Sequence, residues 1–312
     1  MQVKTLFLTN RDDVSIEYLI AKYREHSDAY LRINSEDLDL LNFEIDPAGF
    51  SFCLANGKEH DLSTVKSVVF KRVPTKYNNP VGDENSAYLN NERKHFFEGL
   101  YLTFEHAKWV NPMFATHIAE RKIYQLNVAA QLGLQIPKSI VTNNLEKAIG
   151  FLNSQPKAII KPISNGLQVL KDKVYSIYTT EVTSEDFRNL NLANTFSTPV
   201  FLQERIENSY DIRVTIVGSN VFAVRISKES MEVDWRKPDI VKHYEIAKLP
   251  EALVEKLLRL NTKFGMVYSA IDLIQNPAGD FIFLEINPVG EWAWLEQELN
   301  LNISEMFIKE LL

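Results

Sequence analysis

Cysteine is almost absent: Cys53 stands alone among 312 residues. One thiol excludes a disulfide scaffold and a cysteine-rich metal site, and suits a reducing compartment. Cys53 itself reads as a small buried apolar residue. No apolar run reaches the roughly 18 residues of a membrane span. The opening residues are too short for a signal peptide and run into Arg11, Asp12 and Asp13, so a cytoplasmic location is expected. Basic excess is missing too: 34 Lys and Arg against 41 Asp and Glu leave a net charge of −7. General nucleic-acid binding needs a concentrated basic face, so neither nucleic acid nor a membrane is an expected partner. Internal repeats and low-complexity tracts are lacking. The six histidines (His26, His60, His95, His106, His117 and His243) show no metal-ligand spacing. Nor is there a convincing Ser/His/Asp or Cys/His set for covalent catalysis. What remains is an ordinary globular composition, 45% hydrophobic and 24% charged, with the length of roughly two domains.

The first third alternates strands and helices, with strands over residues 3–8 and 65–70 and helices over 15–26 and 90–109. This βα alternation predicts a small parallel sheet covered by helices, closed near Asn111-Pro112. A helix over 118–132, capped by Gly133, opens the next segment. Strands over 139–142, 158–162 and 169–178, with a helix from Asn144, predict a compact α+β unit. A strand over 199–205 follows. Then come two hairpins, turning at Gly218-Ser219-Asn220 and at residues 276–280, with a helix over 250–264 between them and a final helix from Ser304.

The second hairpin carries the most informative pair. If its turn centres on Ala278 and Gly279, Asp272 lies opposite Glu285 with Cβ atoms about 5 Å apart. Asn287 shares that face. The neighbouring residues, Ile271, Leu273, Ile274, Phe283 and Ile286 among them, are apolar. Two facing carboxylates in such a setting repel and lose hydration, and a divalent cation offsets both costs. Three oxygen ligands suit magnesium, with water and phosphate completing the shell. The plainer alternative is a solvated or arginine-paired acid pair at a sheet end.

Other candidates are weaker alone. Lys161 ends an apolar strand, aimed at water or at an anion, and Ser164-Asn165-Gly166 offers backbone N–H groups to phosphate. Lys122 lies in the 118–132 helix, where a solvated face is the ordinary role. The chain leaving Gln203-Glu204-Arg205-Ile206 presents backbone groups suited to an adenine edge. Asp211 and Arg213 share a strand face, and Arg236 of Asp234-Trp235-Arg236 is either an exposed loop residue or a bidentate phosphate ligand.

The order of these pieces — Lys122, Lys161-Pro162, Gln203-Glu204-Arg205-Ile206, Asp211-Ile212-Arg213, Asp272 and Glu285-Ile286-Asn287-Pro288 — resembles the ATP-grasp ligases. Phe70-Lys71-Arg72, Trp109-Val110-Asn111-Pro112, Asp234-Trp235-Arg236 and the run from Phe283 to Trp292 resemble, more narrowly, the graspetide (microviridin-type) peptide maturases. Phe70 and Lys71 stand where related maturases often carry tryptophan and arginine, so this motif stays outside the catalytic set.

The resemblance implies an α/β (α+β) ATP-grasp fold of three lobes: a pre-ATP-grasp domain (residues 1–112), a central lid (113–190) and a C-terminal lobe (191–312). It implies that Lys122 and Lys161 hold nucleotide phosphates and that Gln203, Glu204, Arg205 and Ile206 border the adenine. Asp211 would meet the ribose, Arg213 and Arg236 would act at the phosphates and acyl phosphate, and Asp272, Glu285 and Asn287 would hold magnesium. The cofactors implied are ATP and Mg2+, the partner a ribosomal precursor peptide, and dimerisation is a family-based expectation. The expected activity joins Asp or Glu side chains of the peptide to Thr or Ser hydroxyls, or to Lys amines. The alternatives are addition of an amino acid to a peptide or protein, and a nucleotide-binding module without turnover.

Overall fold

The computed structural model describes residues 2–34, 36–37, 41–46, 50–55, 57–73, 85–164, 166–170, 173–189, 195–229 and 240–312. Its N-terminal unit runs β1 (Thr5–Thr9), α1 (Val14–Tyr23), β2 (Tyr30–Asn34), β3 (Leu41–Asp46), β4 (Phe50–Ala55), β5 (Lys58–Asp61), β6 (Ser67–Phe70), α2 (Ser86–Leu102) and β7 (Lys108–Val110). β2, β1, β6 and β7 pair in that order, all parallel, as the alternation predicts. Trp109 corrects one boundary: it lies in β7, and the helix expected to reach it ends at Leu102. The antiparallel sheet β3–β4–β5 is additional. Cys53 lies on β4, and its side chain is outside the described part.

The expected 118–132 helix is two helices, α3 (Met113–Ala119) and α4 (Lys122–Gln131). Gly133 caps α4 as expected. With φ +73 it lets Leu134 N–H reach Ala129 O and its own N–H reach Ala130 O, a Schellman pair.

The central unit comprises β8 (Ser139–Asn144), α5 (Leu145–Ser154), β9 (Ala158–Lys161), β10 (Leu167–Leu170), β11 (Lys173–Ser176), β12 (Thr180–Val182), α6 (Ser184–Arg188) and β13 (Thr195–Glu204). Its sheet is ordered β12–β9–β13–β8, while β10 and β11, expected as one strand, form a separate hairpin. The expected division at residue 190 precedes β13, which hydrogen-bonds to β8 and β9 of this sheet. Leu202 points to α5 and α6, and Phe201 to the opposite side, among side chains of the last unit.

That last unit holds β14 (Tyr210–Val217), β15 (Asn220–Lys228), β16 (Lys242–Ile246), α7 (Glu251–Lys263), β17 (Tyr268–Gln275), β18 (Phe281–Asn287), α8 (Ala293–Leu299) and α9 (Ile303–Leu311). The strands form one antiparallel sheet, β16–β15–β14–β17–β18. Its faces differ because strand side chains alternate. Ile212, Val214, Ile216, Ile271 and Leu273 point into a core with α4 and α7. On the other face Val217, Val224, Ile226 and Tyr268 pack against α1, α8 and α9 around Trp292. Farther along that second face the residues become ionic: Asp211, Arg213 and Asp272. Among the described residues no helix is long and apolar enough to cross a membrane.

Candidate active site

Asp272 faces Glu285, as the sequence predicts, though by a different route. The turn is centred on Ala278: Gln275 pairs with Phe281 and Leu273 with Phe283, which would continue to Asp272 opposite Leu284. A bulge between Asp272 and Leu273 absorbs Leu284 and sets Asp272 against Glu285 and Ala270 against Asn287. The acids are not in the apolar setting expected, because Ile271, Leu273 and Ile286 point into the core on the opposite face. Arg213 stands opposite Asp272 on β14, with Nε 3.1 Å from Asp272 Oδ1. Lys122 Nζ lies 3.7 Å from Glu285 Oε2 and donates to Pro162 O at 3.0 Å.

Lys122 reaches this place because it begins α4 and projects from the helix end, not from a helix face. Gln125, one turn on, fixes α4 against β18. Its amide donates to Ile286 O at 2.8 Å and accepts from Ile286 N at 3.1 Å, as a neighbouring strand would, and so covers the edge of the sheet. Gln125 Nε2 also reaches Ala119 O, across the break between α3 and α4. Sequence reasoning missed Gln125; no local signal marks it.

The central sheet contributes Lys161, half-buried, directly opposite Phe201 and two residues from Ile159, which faces Gln203. Glu204 is tied down at both ends: its N–H donates to Lys138 O at 2.9 Å and its Oε1 accepts from Lys138 N at 2.7 Å. Arg205 N–H donates to Lys157 O, and its guanidinium pairs with Glu181 at 2.5 Å. Ile206 N–H makes no backbone hydrogen bond among the described residues. Asp211 is buried, 3.2 Å from Lys228 Nζ. Gly166, in the loop expected to offer N–H groups to phosphate, has a structural role of its own. Its carbonyl accepts from Ile177 N at 2.6 Å, and an added Cβ would fall 2.4 Å from Ile177 O, so its lack of a side chain serves the base of the β10–β11 hairpin. Asn165, Asp234, Trp235 and Arg236 lie outside the described residues.

The N-terminal unit reaches the same region through residues left outside the catalytic set. Lys71, 3% exposed, donates to Asp13 Oδ1 at 2.9 Å and to Glu291 Oε1 at 2.8 Å. Arg72, with φ +54, brings Nη2 to 3.1 Å from the same Glu291 oxygen, and Ser15 Oγ donates to the other. Burial pushes the Glu291 carboxyl up, but Lys71 and then Arg72 outweigh it, with hydrogen bonds from Lys71 and Ser15, and hold it below the usual carboxylate range. Burial raises the Tyr268 phenol, which stays protonated and donates to Gly290 O at 2.5 Å. Gly290 needs to be glycine: a Cβ would sit 2.5 Å from that of Ala270 and 3.3 Å from Arg213 Nη1. Asn111 completes the frame, donating to Tyr268 O and Pro288 O and accepting from Val267 N and Tyr268 N. Pro288 directly follows Asn287, so the first unit fixes the turn that carries this residue.

Two carboxylates and an amide are hard oxygen donors of the kind magnesium takes, and they stand on adjacent strands of one sheet. The donor set therefore fits the metal. Among the described residues no group of three His, Cys, Asp or Glu suits a metal, which leaves this mixed set as the candidate. Lys122 and Arg213 beside it place positive charge where a polyphosphate would need it.

No family model matches the chain. Solved structures do. One is the macrocyclase MdnC of Microcystis aeruginosa MRC bound with precursor peptide MdnA, with 28% identity, TM-score 0.87 and 99% of both chains covered. Another is a RiPP-associated ATP-grasp ligase of Chryseobacterium gregarium in complex with ADP and a leader and core peptide, with 23% identity, TM-score 0.84, and 99% of this chain and 95% of that one covered. Among curated relatives, the α-aminoadipate–LysW ligase LysX of Sulfurisphaera tokodaii is 24% identical over 216 residues, 65% of this chain and 71% of its own length. The fold and the site thus define an ATP-grasp ligase, an ATP-dependent carboxylate ligase. Within that class the likeness is to graspetide-type maturases, the macrocyclase MdnC among them.

Proposed function

We propose that this ligase is a peptide macrocyclase. It activates Asp or Glu side chains of a ribosomal precursor peptide as acyl phosphates and links them to Thr or Ser hydroxyls (ω-ester) or Lys amines (ω-amide). The observation that carries this reading is the whole-chain likeness to a macrocyclase bound with its precursor peptide. Asp272, Glu285 and Asn287 would hold magnesium, which when bound offsets phosphate charge. Lys122 and Lys161 bind the phosphates, Ile206 N–H and its neighbours Glu204 and Arg205 border the adenine, and Asp211, beside Lys228, meets the ribose. Arg213 and Arg236 neutralise the phosphoryl group as it moves.

A carboxylate oxygen of the peptide attacks the γ-phosphorus and ADP departs. The hydroxyl or amine then attacks the acyl carbon, loses its proton, and phosphate leaves. The enzyme orients the two peptide groups and excludes water that would hydrolyse the intermediate. Three lobes divided near residue 112 and after β13, a cytoplasmic location and a dimeric assembly complete the reading. Its test is the intact mass of a candidate precursor after incubation with enzyme, ATP and magnesium, where each ring removes one water.

A second reading, addition of an amino acid to a peptide or protein, is favoured by the likeness to the α-aminoadipate–LysW ligase. It gives a mass gain in the same experiment.

A further inference from the structure

The second half of the proposed reaction needs a proton acceptor. The attacking hydroxyl carries a proton that must leave as its oxygen bonds to the acyl carbon. Most carboxylates at the site are already engaged. Asp13, Asp211, Asp272, Glu285 and Glu291 each have a Lys or Arg nitrogen within 3.7 Å.

Glu120 is not held in this way. It follows α3 and, with Arg121, spans the break before α4. Gln125 Nε2 donates both to Ala119 O at 2.5 Å and to Ile286 O at 2.8 Å. The break therefore lies against the residue between Glu285 and Asn287. Two residues past Glu120, Lys122 Nζ reaches Glu285. On the other side, His117 of α3 sets its ring 6.2 Å from that of Phe70, the residue before Lys71 and Arg72. Glu120 thus stands between the acid pair and the strand end that carries Lys71.

The Glu120 side chain is 42% exposed, yet burial pushes its carboxyl up. A group that is both open to water and crowded by protein lines a concave wall. Among the described residues no hydrogen bond holds the carboxylate, and its ion partner, Arg121 Nη1, is 4.0 Å away. The charges of His117 and Arg121 act against the burial and favour the ionised form, which is the form that takes a proton.

We propose that Glu120 is the general base of ring closure. One of its Oε atoms accepts the proton of the attacking Thr or Ser hydroxyl while that oxygen bonds to the acyl carbon. The bond from the acyl carbon to the phosphate oxygen breaks, and its electron pair leaves with phosphate. A carboxylate of raised proton affinity is the stronger base for this step. The inference rests on the macrocyclase reading above and assigns a step which that reading leaves open.

The test separates activation of the carboxylate from closure of the ring. The full chain, ATP and magnesium are incubated with the Thr- or Ser-bearing precursor peptide encoded beside the gene, with and without hydroxylamine. Hydroxylamine is unprotonated at neutral pH and captures an acyl phosphate as a hydroxamate without help from a base. Intact mass tells the two products apart, because a ring loses water and a hydroxamate gains mass. Glu120→Gln closes rings about 100-fold more slowly than the wild type, the scale of a lost general base. It forms hydroxamate within about 2-fold of the wild-type rate, because activation precedes the proton transfer. Glu120→Asp, which keeps a carboxylate, recovers about 10-fold of the lost ring closure. Undiminished ring closure in Glu120→Gln overturns the proposal and leaves the macrocyclase reading intact. Hydroxamate formation that falls in step with ring closure also overturns it, and places Glu120 in activation or in folding. A wild type that closes no ring defeats the macrocyclase reading and this inference together.

Discussion

Lys71, one residue past the end of β6, places its ammonium 2.8 Å from Glu291 Oε1, 220 residues later in the chain. The contact ties the parallel sheet of the N-terminal unit to the turn that follows Asn287, and Asp13 at the N-terminus of α1 shares the same ammonium. A buried ion pair is not in itself a gain in stability, because desolvation opposes the attraction. Removing one member leaves the other charge buried and uncompensated, which is costly.

Lys71→Met is therefore expected to destabilise the protein by about 3–5 kcal/mol. Pairing it with Glu291→Gln should recover part of that loss, since the two residues share one network. Urea unfolding at neutral pH measures both. A single-variant loss below about 1 kcal/mol, the size of a surface pair, would contradict the account.

The same carboxyl sets a pH dependence. Glu291 is held below its ordinary value, so below that value the unfolded chain binds more protons than the folded one. Its stabilisation is thus fully present above about pH 4.5 and is lost as pH falls through the lowered folded value. The urea midpoint of the wild type should fall more steeply between about pH 5 and about pH 3 than that of Glu291→Gln. Parallel curves would show that the carboxyl titrates alike in both states.

Glu285→Gln tests the acid pair. Glu285 is part-exposed at an edge strand, and the amide is isosteric, so the melting temperature should change little. ADP formation should fall about 100-fold or more, the scale of lost metal-assisted charge stabilisation. A coupled ADP assay beside a thermal melt separates the two effects, and undiminished turnover would remove Glu285 from the metal set.

Lys161→Ala tests the phosphate site. The residue ends β9 half-buried, and its loss should weaken ATP binding about 10-fold, as expected for one charge-assisted contact. Calorimetry with Mg–ATP reads this directly; unchanged affinity would reassign the lysine to a solvated strand end.

The sequence carried much of this site, for physical reasons that differ by element. Strand alternation and a turn with Asn276 and Gly279 are local signals, so the juxtaposition of Asp272 and Glu285 was legible even though the bulge at Leu284 was not. The parallel β1–β6 sheet followed from its βα rhythm. The break between α3 and α4 was hidden because no Gly or Pro marks residues 119–122; Gln125 bonding to Ala119 O and Lys122 bonding to Pro162 O act there from outside the local chain. The β3–β4–β5 sheet shows itself only in Leu41, Phe43 and Ile45 alternating with Asn42, Glu44 and Asp46, a stretch short enough to pass for loop. Lys71, Asp13 and Glu291 are far apart in sequence, and their meeting is purely a tertiary fact.

The most direct test of the central claim is the intact mass of an acidic, Thr- or Ser-bearing precursor peptide encoded beside this protein's gene, after incubation with the enzyme, ATP and magnesium. The account predicts loss of one water for each ADP formed, and no loss with Glu285→Gln. A peptide that gains the mass of an amino acid, or keeps its mass while ATP is consumed, would contradict it.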